Sequence, residues 1–435
     1  MRTDAYDEAE FWSRDQIEAT QVARLKNVVA RVYNNCAFYR KRLDEAGVTP
    51  DSIHSLDDIE RIPFTTKDDL RSQYPLGLCI VPHEDLVRMH CSSGTTGTPV
   101  AIAHTQNDLN TWADLMARCM HMVGINKSDV FQNMSGYGLF TGGLGIHAGA
   151  ERLGCMTIPA GAGNTARQIK LMMDFKTTVA HILPSYALIL GERLREMGVD
   201  PATVPLRIAC VGAEPYSEAY RKRIETLFDM KVYNSYGMSE MNGPSVGFEC
   251  TEQNGMHIWE DAYIAEIIDP KTGKHVKPGE VGELVMTTLV RESMPILRYR
   301  SRDLTRFIPG ECGCGRLHRR IDRIFGRSDD MFICKGVNIY PQQIETVLMR
   351  FKEVGQNYLI LLDNDNLGEV LRVQVEIRQE HFVEDMRVLQ ALQKNIARAL
   401  RDEILLTPKV ELVQNNSLPM SDGKAVRFKD IRNRI

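Results

Sequence analysis

Short apolar runs alternate with longer amphipathic stretches between residues 100 and 234, and this alternation constrains the fold more than any other feature. Strands are predicted at Val130–Met134, Met156–Pro159, Thr178–Leu183, Arg207–Val211 and Lys231–Asn234. The helices predicted around them are Gln106–Met122, Thr165–Asp174, Tyr186–Met197 and Ser217–Phe228. This order favours a largely parallel sheet with helices on both faces. Ligands of such sheets bind where the loops after the strands gather.

The chain outside this stretch has other patterns. Residues 17–46 show a helical apolar face, and the polar Lys67–Ser72 is predicted to be a loop. Residues 255–325 are rich in short strands, which predicts a small antiparallel or barrel-like β unit. We therefore predict an α/β fold with a body of mostly parallel sheets over residues 1–327. A small α+β C-terminal domain is predicted over residues 328–435.

The composition limits the functional classes. Of the 435 residues, 43% are hydrophobic and 25% are charged, as in an ordinary globular protein. The net charge of −4 gives no electrostatic reason to expect a nucleic acid or an anionic membrane as partner. No apolar run approaches the roughly 20 residues of a membrane span, and residues 1–16 do not resemble a secretory signal. Ten cysteines without such a signal favour the cytoplasm.

A loop rich in hydroxyl groups and glycine runs from Cys91 to Val100, directly after the strand-like Leu86–His90. Such a loop can bring backbone N–H groups and hydroxyls close to phosphate oxygens. It is not a Walker loop, because Thr98 and Pro99 follow its second glycine where that motif needs Lys-Ser or Lys-Thr.

Four further blocks follow at predicted strand ends and domain junctions: Gly212–Pro215, Tyr236–Glu240, Tyr299–Asp303 and Gly326–Asp330. With the loop Cys91–Val100 and the late pair Gly423-Lys424, their order resembles the adenylate-forming enzymes of the acyl-CoA synthetase superfamily over essentially the whole chain. Within that group, the blocks Tyr137–Gly145 and Gly149–Gly154 resemble the phenylacetate–CoA ligases.

The resemblance implies an enzyme that joins a carboxylate to ATP, releases pyrophosphate and passes the acyl group to coenzyme A. The first step needs concentrated positive charge and N–H donors around the phosphates, with Mg²⁺ bridging them. Glu240 is implied to hold the Mg²⁺. Thr98 stands where many relatives carry lysine, so more of the charge neutralisation falls on the metal. The implied phosphate-binding residues are Ser92, Ser93, Gly94, Thr95, Thr96 and Gly97.

The resemblance also assigns the nucleoside contacts. Tyr236 is implied to stack on adenine, and Asp303 to accept hydrogen bonds from the ribose hydroxyls, with Arg327 beside it. Surface pairing of Asp303 with Arg300 or Arg302 is the alternative. The implied nucleoside-binding residues are Ala213, Glu214, Pro215, Tyr236, Gly237, Met238, Ser239, Asp303 and Arg327.

The C-terminal domain is implied to act as a mobile lid that turns about Asp329. In one orientation Lys424 would stabilise the charge of the adenylation transition state. In the other, Lys335 and Gly336 would border the tunnel for CoA. Relatives tend to carry Pro-Arg-Ser before the Gly-Lys pair, whereas this chain has Pro419-Met-Ser421.

The acyl pocket is expected to be a flat slot, because two aromatic side chains facing several glycines suit an aryl ring better than an alkyl tail. Its predicted lining is Tyr137, Phe140, Gly142, Gly143, Ala213 and Pro244.

Cys250, His257, Cys312 and Cys314 form a second candidate cluster. Three thiolates and one imidazole match a structural zinc site without an open position. Free thiols and a surface histidine are the alternative.

The leading prediction is therefore an aryl-acid–CoA ligase that uses ATP, Mg²⁺ and CoA, and relatives are commonly dimers. An adenylating protein that loads the thiol of a carrier protein is the first alternative. A nucleotide-binding regulator without turnover is the second.

Overall fold

The computed structural model describes residues 5–92, 98–214, 216–365, 368–381, 386–415, 417–418 and 427–432. The α-helices are α1 (Arg14–Asn35), α2 (Ala37–Glu45), α3 (Lys67–Ser72), α4 (Gln106–Met122), α5 (Thr141–Arg152), α6 (Thr165–Phe175), α7 (Pro184–Glu196), α8 (Glu218–Phe228), α9 (Pro341–Leu348) and α10 (Met386–Ile404). The first strands are β1 (Leu86–Cys91), β2 (Ala101–Thr105), β3 (Val130–Asn133), β4 (Met156–Ile158), β5 (Val179–Ile182), β6 (Ile208–Gly212), β7 (Lys231–Met238), β8 (Gly243–Glu249), β9 (Met256–Ile258), β10 (Tyr263–Ile268) and β11 (Gly282–Thr288). The later strands are β12 (Tyr299–Thr305), β13 (Phe307–Ile308), β14 (Arg320–Ile321), β15 (Gly326–Arg327), β16 (Phe332–Cys334), β17 (Val337–Ile339), β18 (Val354–Asp365), β19 (Gly368–Ile377), β20 (Lys409–Gln414) and β21 (Phe428–Asp430).

The N-terminal segment differs from its prediction in two places. The single helix predicted over residues 17–46 is two helices, because Cys36 between α1 and α2 has an extended backbone. The predicted loop Lys67–Ser72 is the helix α3. Thr66 caps that helix, since its hydroxyl and the Asp69 carboxylate bond each other's backbone N–H, and Leu70 is buried beneath it.

A nine-stranded sheet forms the centre of the body, in the order β13-β14-β9-β8-β7-β6-β5-β3-β4. The pairs from β4 to β7 are parallel, as the alternating pattern predicts, and those from β7 to β13 are antiparallel. The helix α5 between β3 and β4 was not predicted. Its sequence holds four glycines, one of which, Gly145, packs against the ring of Trp112 on α4.

Smaller sheets surround this centre. The hairpin β1–β2 brackets the hydroxyl-rich loop. The order β10-β11-β12-β15 gives an antiparallel four-stranded sheet, which corresponds to the predicted small β unit. The strands β9, β13 and β14 of the same stretch extend the nine-stranded sheet. The predicted α/β class is confirmed.

The C-terminal α+β unit contains the hairpin β16–β17 and a four-stranded sheet in the order β20-β19-β18-β21. Its apolar core continues into the body, since Ile344 on α9 and Ile360 on β18 belong to one buried cluster with Leu190 on α7 and Ile224 on α8. Within the described ranges, the helices lack the combination of length and apolarity that a membrane crossing requires.

A buried ion pair fixes the four-stranded sheet to the N-terminal segment. Arg298 donates to both carboxylate oxygens of Glu266 on β10, at 2.7 and 3.1 Å, and to the carbonyls of Glu60 and Ile62. Both charged side chains are almost fully buried. The pair therefore links two parts of the body that are more than 200 residues apart in the sequence.

Glu266→Gln is expected to destabilise the protein by about 3–5 kcal/mol, because Arg298 loses its buried counter-charge. The measurement is the melting temperature and the denaturant midpoint. Glu196→Gln breaks the exposed pair with Arg193 and serves as the control. Equal stability of the two variants would contradict this role for the buried pair.

Candidate active site

The site lies where the carboxyl ends of β6 and β7 meet. These strands are parallel, with Gly212 opposite Ser235, so the segments that follow them are neighbours. Ala213 follows β6 with φ +65°, a left-handed conformation that is strained for alanine. Glu214 beside it accepts the backbone N–H and the hydroxyl of Ser185, at 3.2 and 3.0 Å. Pro215 lies outside the described residues.

Asp303 on β12 joins the two sides of the site. It accepts the hydroxyl of Tyr236 at 2.5 Å through Oδ2 and a guanidinium N–H of Arg327 at 3.1 Å through Oδ1. Burial and the Asp303 carboxylate hold the pKa of Tyr236 well above its usual value, which keeps the phenol a donor. The predicted adenine and ribose residues are therefore in direct contact.

Arg327 on β15 is held by two carboxylates. It faces Asp303 in the strand register and donates to both oxygens of Asp329, at 2.9 and 3.0 Å. Although burial alone would lower its pKa, Asp329, Asp303 and the nearby Asp330 raise it, so Arg327 is firmly cationic. The alternative partners, Arg300 and Arg302, both contact Glu283.

Glu240 is buried in a short turn after β7, where two side chains hold it. Tyr299 donates to its Oε1 at 2.9 Å, and the fully buried Arg291 donates to its carbonyl at 2.6 Å. Arg291 also bonds the amide oxygen of Asn242, whose φ is +75°. Burial and Glu240 hold the pKa of Tyr299 well above its usual value.

Sequence reasoning gave Arg291, Asn242 and Tyr299 no role. The pair Asn242-Gly243 was a signal for a left-handed turn. Arg291 directly follows the apolar Leu289 and Val290, which indicated a buried arginine that needs a partner.

The turn between β7 and β8 is packed against α5. A Cβ atom added at Gly237 would lie 1.5 Å from the carbonyl oxygen of Gly243. One added at Gly243 would lie 2.8 Å from the ring of Trp112. Ser239 lies 3.4 Å from the hydroxyl of Thr141 in the first turn of α5, and Met238 is partly buried beside it. Glycine is therefore required where the two strands separate.

The hydroxyl-rich loop closes the β1–β2 hairpin. Two hydrogen bonds join Ser92 and Val100 across its base. The backbone N–H of Ser92 donates to the carbonyl of Val100 at 2.9 Å, and the backbone N–H of Val100 donates to the hydroxyl of Ser92 at 3.1 Å. The backbone N–H of Cys91 donates to the carbonyl of Leu139, just before α5. The predicted phosphate-binding residues Ser93, Gly94, Thr95, Thr96 and Gly97 lie outside the described residues.

The predicted acyl residues follow β3 and continue into α5. Tyr137 is half-buried, and its hydroxyl accepts from Asn133 at 2.9 Å and pairs with Nδ1 of His147 at 3.1 Å. Asn133 and His147 had no place in the predicted pocket.

The other acyl residues differ in their surroundings. Phe140 is 51% exposed, and an added Cβ at Gly142 would meet open space. An added Cβ at Gly143 would lie 2.3 Å from the Gly136 carbonyl oxygen, so this glycine is close-packed. The carbonyl of Pro244 on β8 accepts the Ser235 hydroxyl at 2.7 Å. The flat slot stays a prediction.

Two predicted groups lie in the C-terminal unit. Lys335 and Gly336 form the turn of the β16–β17 hairpin, both with positive φ and both exposed. The backbone N–H of Lys335 donates to Glu369 at 2.7 Å. Lys424 lies outside the described residues.

The cysteine–histidine cluster is assembled. The ligand atoms of Cys250, His257, Cys312 and Cys314 all lie within 4.8 Å of one another. Nδ1 of His257 contacts the carbonyl of His318 at 3.0 Å, which directs Nε2 towards the thiols. Hydrogen bonding from Cys250 and His257 lowers the pKa of the Cys314 thiol.

Comparison with known proteins shows which family the chain belongs to. The family described as "AMP-binding enzyme" matches residues 22–289, and "AMP-binding enzyme C-terminal domain" matches residues 336–432. The chain belongs to the AMP-binding enzyme family. The resemblance seen in the sequence is thereby confirmed.

Relatives within this family are similar over nearly their whole length. A phenylacetate-coenzyme A ligase of Thermus thermophilus is 44% identical, with 98% of this chain and 99% of the relative covered. A 2-hydroxyisobutyryl-CoA ligase in the postadenylation state superposes with a TM-score of 0.93 at 30% identity, covering 99% of this chain and 94% of that one. The same ligase in the thioesterification state gives 0.74 at 31% identity, covering 100% of this chain and 94% of that one.

Gly237→Ala is expected to abolish nucleotide binding and lower the melting temperature, because its Cβ cannot fit beside the Gly243 carbonyl. Calorimetric ATP binding and a thermal melt measure this. Gly136→Ala is the matched control, since an added Cβ there meets no atom within 4 Å. Normal binding by Gly237→Ala would show that the turn relaxes.

Proposed function

We propose that this chain is an ATP-dependent aryl-acid–CoA ligase that works through an acyl-adenylate. The observation that carries the proposal is a pair of carboxylates, the partly buried Asp303 and the buried Glu240, oriented by Tyr236, Arg327 and Tyr299 at one end of the parallel sheet. Membership of the AMP-binding family and the similarity to phenylacetate-coenzyme A ligases support the reaction and its substrate class.

In the first step a carboxylate oxygen of the acid attacks the α-phosphorus of ATP and pyrophosphate leaves. Asp303 would accept the ribose hydroxyls, Tyr236 and the segment Ala213–Pro215 would hold adenine, and residues 92–97 would bind the β- and γ-phosphates. Lys424 would stabilise the charge that grows on the α-phosphate and carboxylate oxygens.

Mg²⁺ fits the chemistry of Glu240. Its Oε1 is engaged by Tyr299, whereas its Oε2 carries no hydrogen bond from the described residues. A hard divalent cation prefers such a carboxylate oxygen. When bound, Mg²⁺ would neutralise phosphate charge and make pyrophosphate a better leaving group.

In the second step the thiolate of CoA attacks the acyl carbon and AMP leaves. The proposal places a domain boundary at residues 327/328 with Asp329 as its hinge, and Lys335 and Gly336 beside the CoA tunnel. Turning the C-terminal domain would withdraw Lys424 and admit the thiol, while water stays excluded from the adenylate. A homodimer and a cytoplasmic location belong to the same proposal.

Pyrophosphate release and acyl-CoA formation test the proposal. The acids are phenylacetate, benzoate, indoleacetate, hexanoate and acetate, each with ATP and Mg²⁺, with and without CoA. Release with the aryl acids together with an acyl-CoA product supports the ligase. Release without a CoA product favours loading of a carrier protein. ATP binding without release from any acid favours a regulator.

Lys424→Ala is expected to slow pyrophosphate release about 100- to 1,000-fold, the usual cost of removing one group that stabilises transition-state charge. Thioester formation from a supplied aryl-adenylate should be largely retained, because that step does not use this lysine. The measurement compares the two half-reactions separately. A similar loss in both would exclude the proposed role.

The proposal includes a structural zinc ion held by Cys250, His257, Cys312 and Cys314. Four N and S ligand atoms with a bonded imidazole match a closed zinc site. The ion would connect β8 and β9 of the nine-stranded sheet to the loop before β14.

Purified protein is expected to carry about one zinc per chain, since four ligands converge on one point. Cys250→Ser should lose the metal and melt at a lower temperature, because the binding free energy of a structural ion contributes to folding. Metal analysis and thermal melts measure both effects. Cys79→Ser, outside the cluster, is the control. A metal-free protein with unchanged stability would leave the alternative of free thiols.

A further inference from the structure

The contact between the C-terminal unit and the body buries a carboxylate. Glu345 on α9 is 2% exposed, and it accepts the hydroxyl of Tyr358 on β18 at 2.7 Å. Ile344 and Tyr358 of the same unit share one buried cluster with Tyr216 and Tyr220 of the body, and the nearby backbone N–H of Ser217 acts to lower the pKa of Glu345. Ser217 is the capping residue of α8, so Glu345 also lies at the positive end of that helix.

A cation lies beside this carboxylate. The guanidinium of Arg427 stacks over the ring of Tyr358, 4.4 Å from its centre. Its charge interacts with Glu345 in its own domain and with Glu214 in the body, next to the buried Tyr220 of α8. One cluster thus contains charged groups from both sides of the interface.

This cluster is favourable in one domain orientation. Burial raises the pKa of Glu345, while Arg427, Tyr358 and the amide of Ser217 favour its charged form. A buried carboxylate is tolerated only while its donors and counter-charge stay in place. Turning the domain would take Glu345 away from Ser217 and Arg427 away from Glu214.

The comparison structures indicate which orientation this is. The match to the 2-hydroxyisobutyryl-CoA ligase has a TM-score of 0.93 in the postadenylation state and 0.74 in the thioesterification state. The two states belong to one enzyme, so the difference in TM-score reflects the arrangement of its domains and not its sequence. The cluster is therefore formed in an arrangement like the postadenylation state.

We propose that Glu345 and Arg427 are positioning residues that dock the C-terminal domain on α8 in the adenylate-forming orientation. This inference rests on the proposed function. Arg427 is three residues after Lys424 in the chain, and Glu214 belongs to the predicted adenine site. The docked arginine therefore connects the segment of the catalytic lysine to the wall of the nucleotide site.

The test measures the two half-reactions in Glu345→Gln and Arg427→Met. Glutamine keeps the shape of Glu345 without its charge, and methionine keeps an apolar stem over Tyr358. Pyrophosphate release is expected to fall about 5- to 150-fold, the range of typical coupling between two conformational states. Thioester formation from a supplied acyl-adenylate should be unchanged or faster, because the opposite orientation is no longer disfavoured.

Glu403→Gln is the matched control, because this glutamate of the same domain forms an exposed pair with Arg350 and does not contact Glu345 or Arg427 in the described residues. Equal losses in both half-reactions, or no loss in either, would overturn the proposal. Small-angle X-ray scattering provides a second readout that is independent of turnover. The variants should shift from the docked profile towards an extended one, and an unchanged profile would contradict docking. Lack of pyrophosphate release by the wild-type protein would instead contradict the proposed function.

Discussion

The contact of Asp303 with Tyr236 and Arg327 is the interaction on which the geometry of the site depends. Tyr236 lies near the end of a strand of the nine-stranded sheet, Asp303 lies in the four-stranded sheet, and Arg327 is in the last body strand before the C-terminal unit. One carboxylate therefore fixes two sheets and the start of the domain junction relative to each other. A nucleotide that binds Asp303 would meet a surface whose parts are already aligned.

The turn that carries Glu240 is also fixed by one buried charged side chain, which here is the cation Arg291. Arg291 is buried and bonds a carbonyl and an amide oxygen, so its donors are used to fix the backbone. The carboxylate of Glu240 is oriented by Tyr299. Both acidic groups of the site are thus held by neutral or cationic donors that reduce the cost of their burial.

Much of the fold was predictable because hydrophobic periodicity is local. The helix Gln106–Met122 and the strands of the parallel half were found within a few residues, and the motifs identified the segments after β6 and β7. The glycine-rich α5 was missed because its packing against Trp112, and not its intrinsic propensity, stabilises a helix there. The short α3 was missed because its stability comes from the cap at Thr66 and from burial of Leu70.

Residues that act through distant contacts were not predictable. Arg291 meets Asn242 across about fifty residues of sequence, and Ile344 beside Glu345 packs into one buried cluster with Tyr220 of the body, so no spacing in the chain reveals these contacts. His147 gains its place beside Tyr137 only when α5 forms. Such contacts depend on the tertiary fold, which a pattern within a single stretch does not encode.

The unequal space around the glycines has a consequence for altering substrate range. At Gly143, Gly237 and Gly243 neighbouring atoms already occupy the position of a side chain, whereas Gly142 faces open space and Phe140 is half exposed. If these residues line the acyl pocket as proposed, directed evolution of the acid preference should accumulate accepted changes at Phe140 and Gly142 and not at Gly143. The β7–β8 turn would stay constant across successful variants, so a library that randomises it would consist mostly of inactive clones.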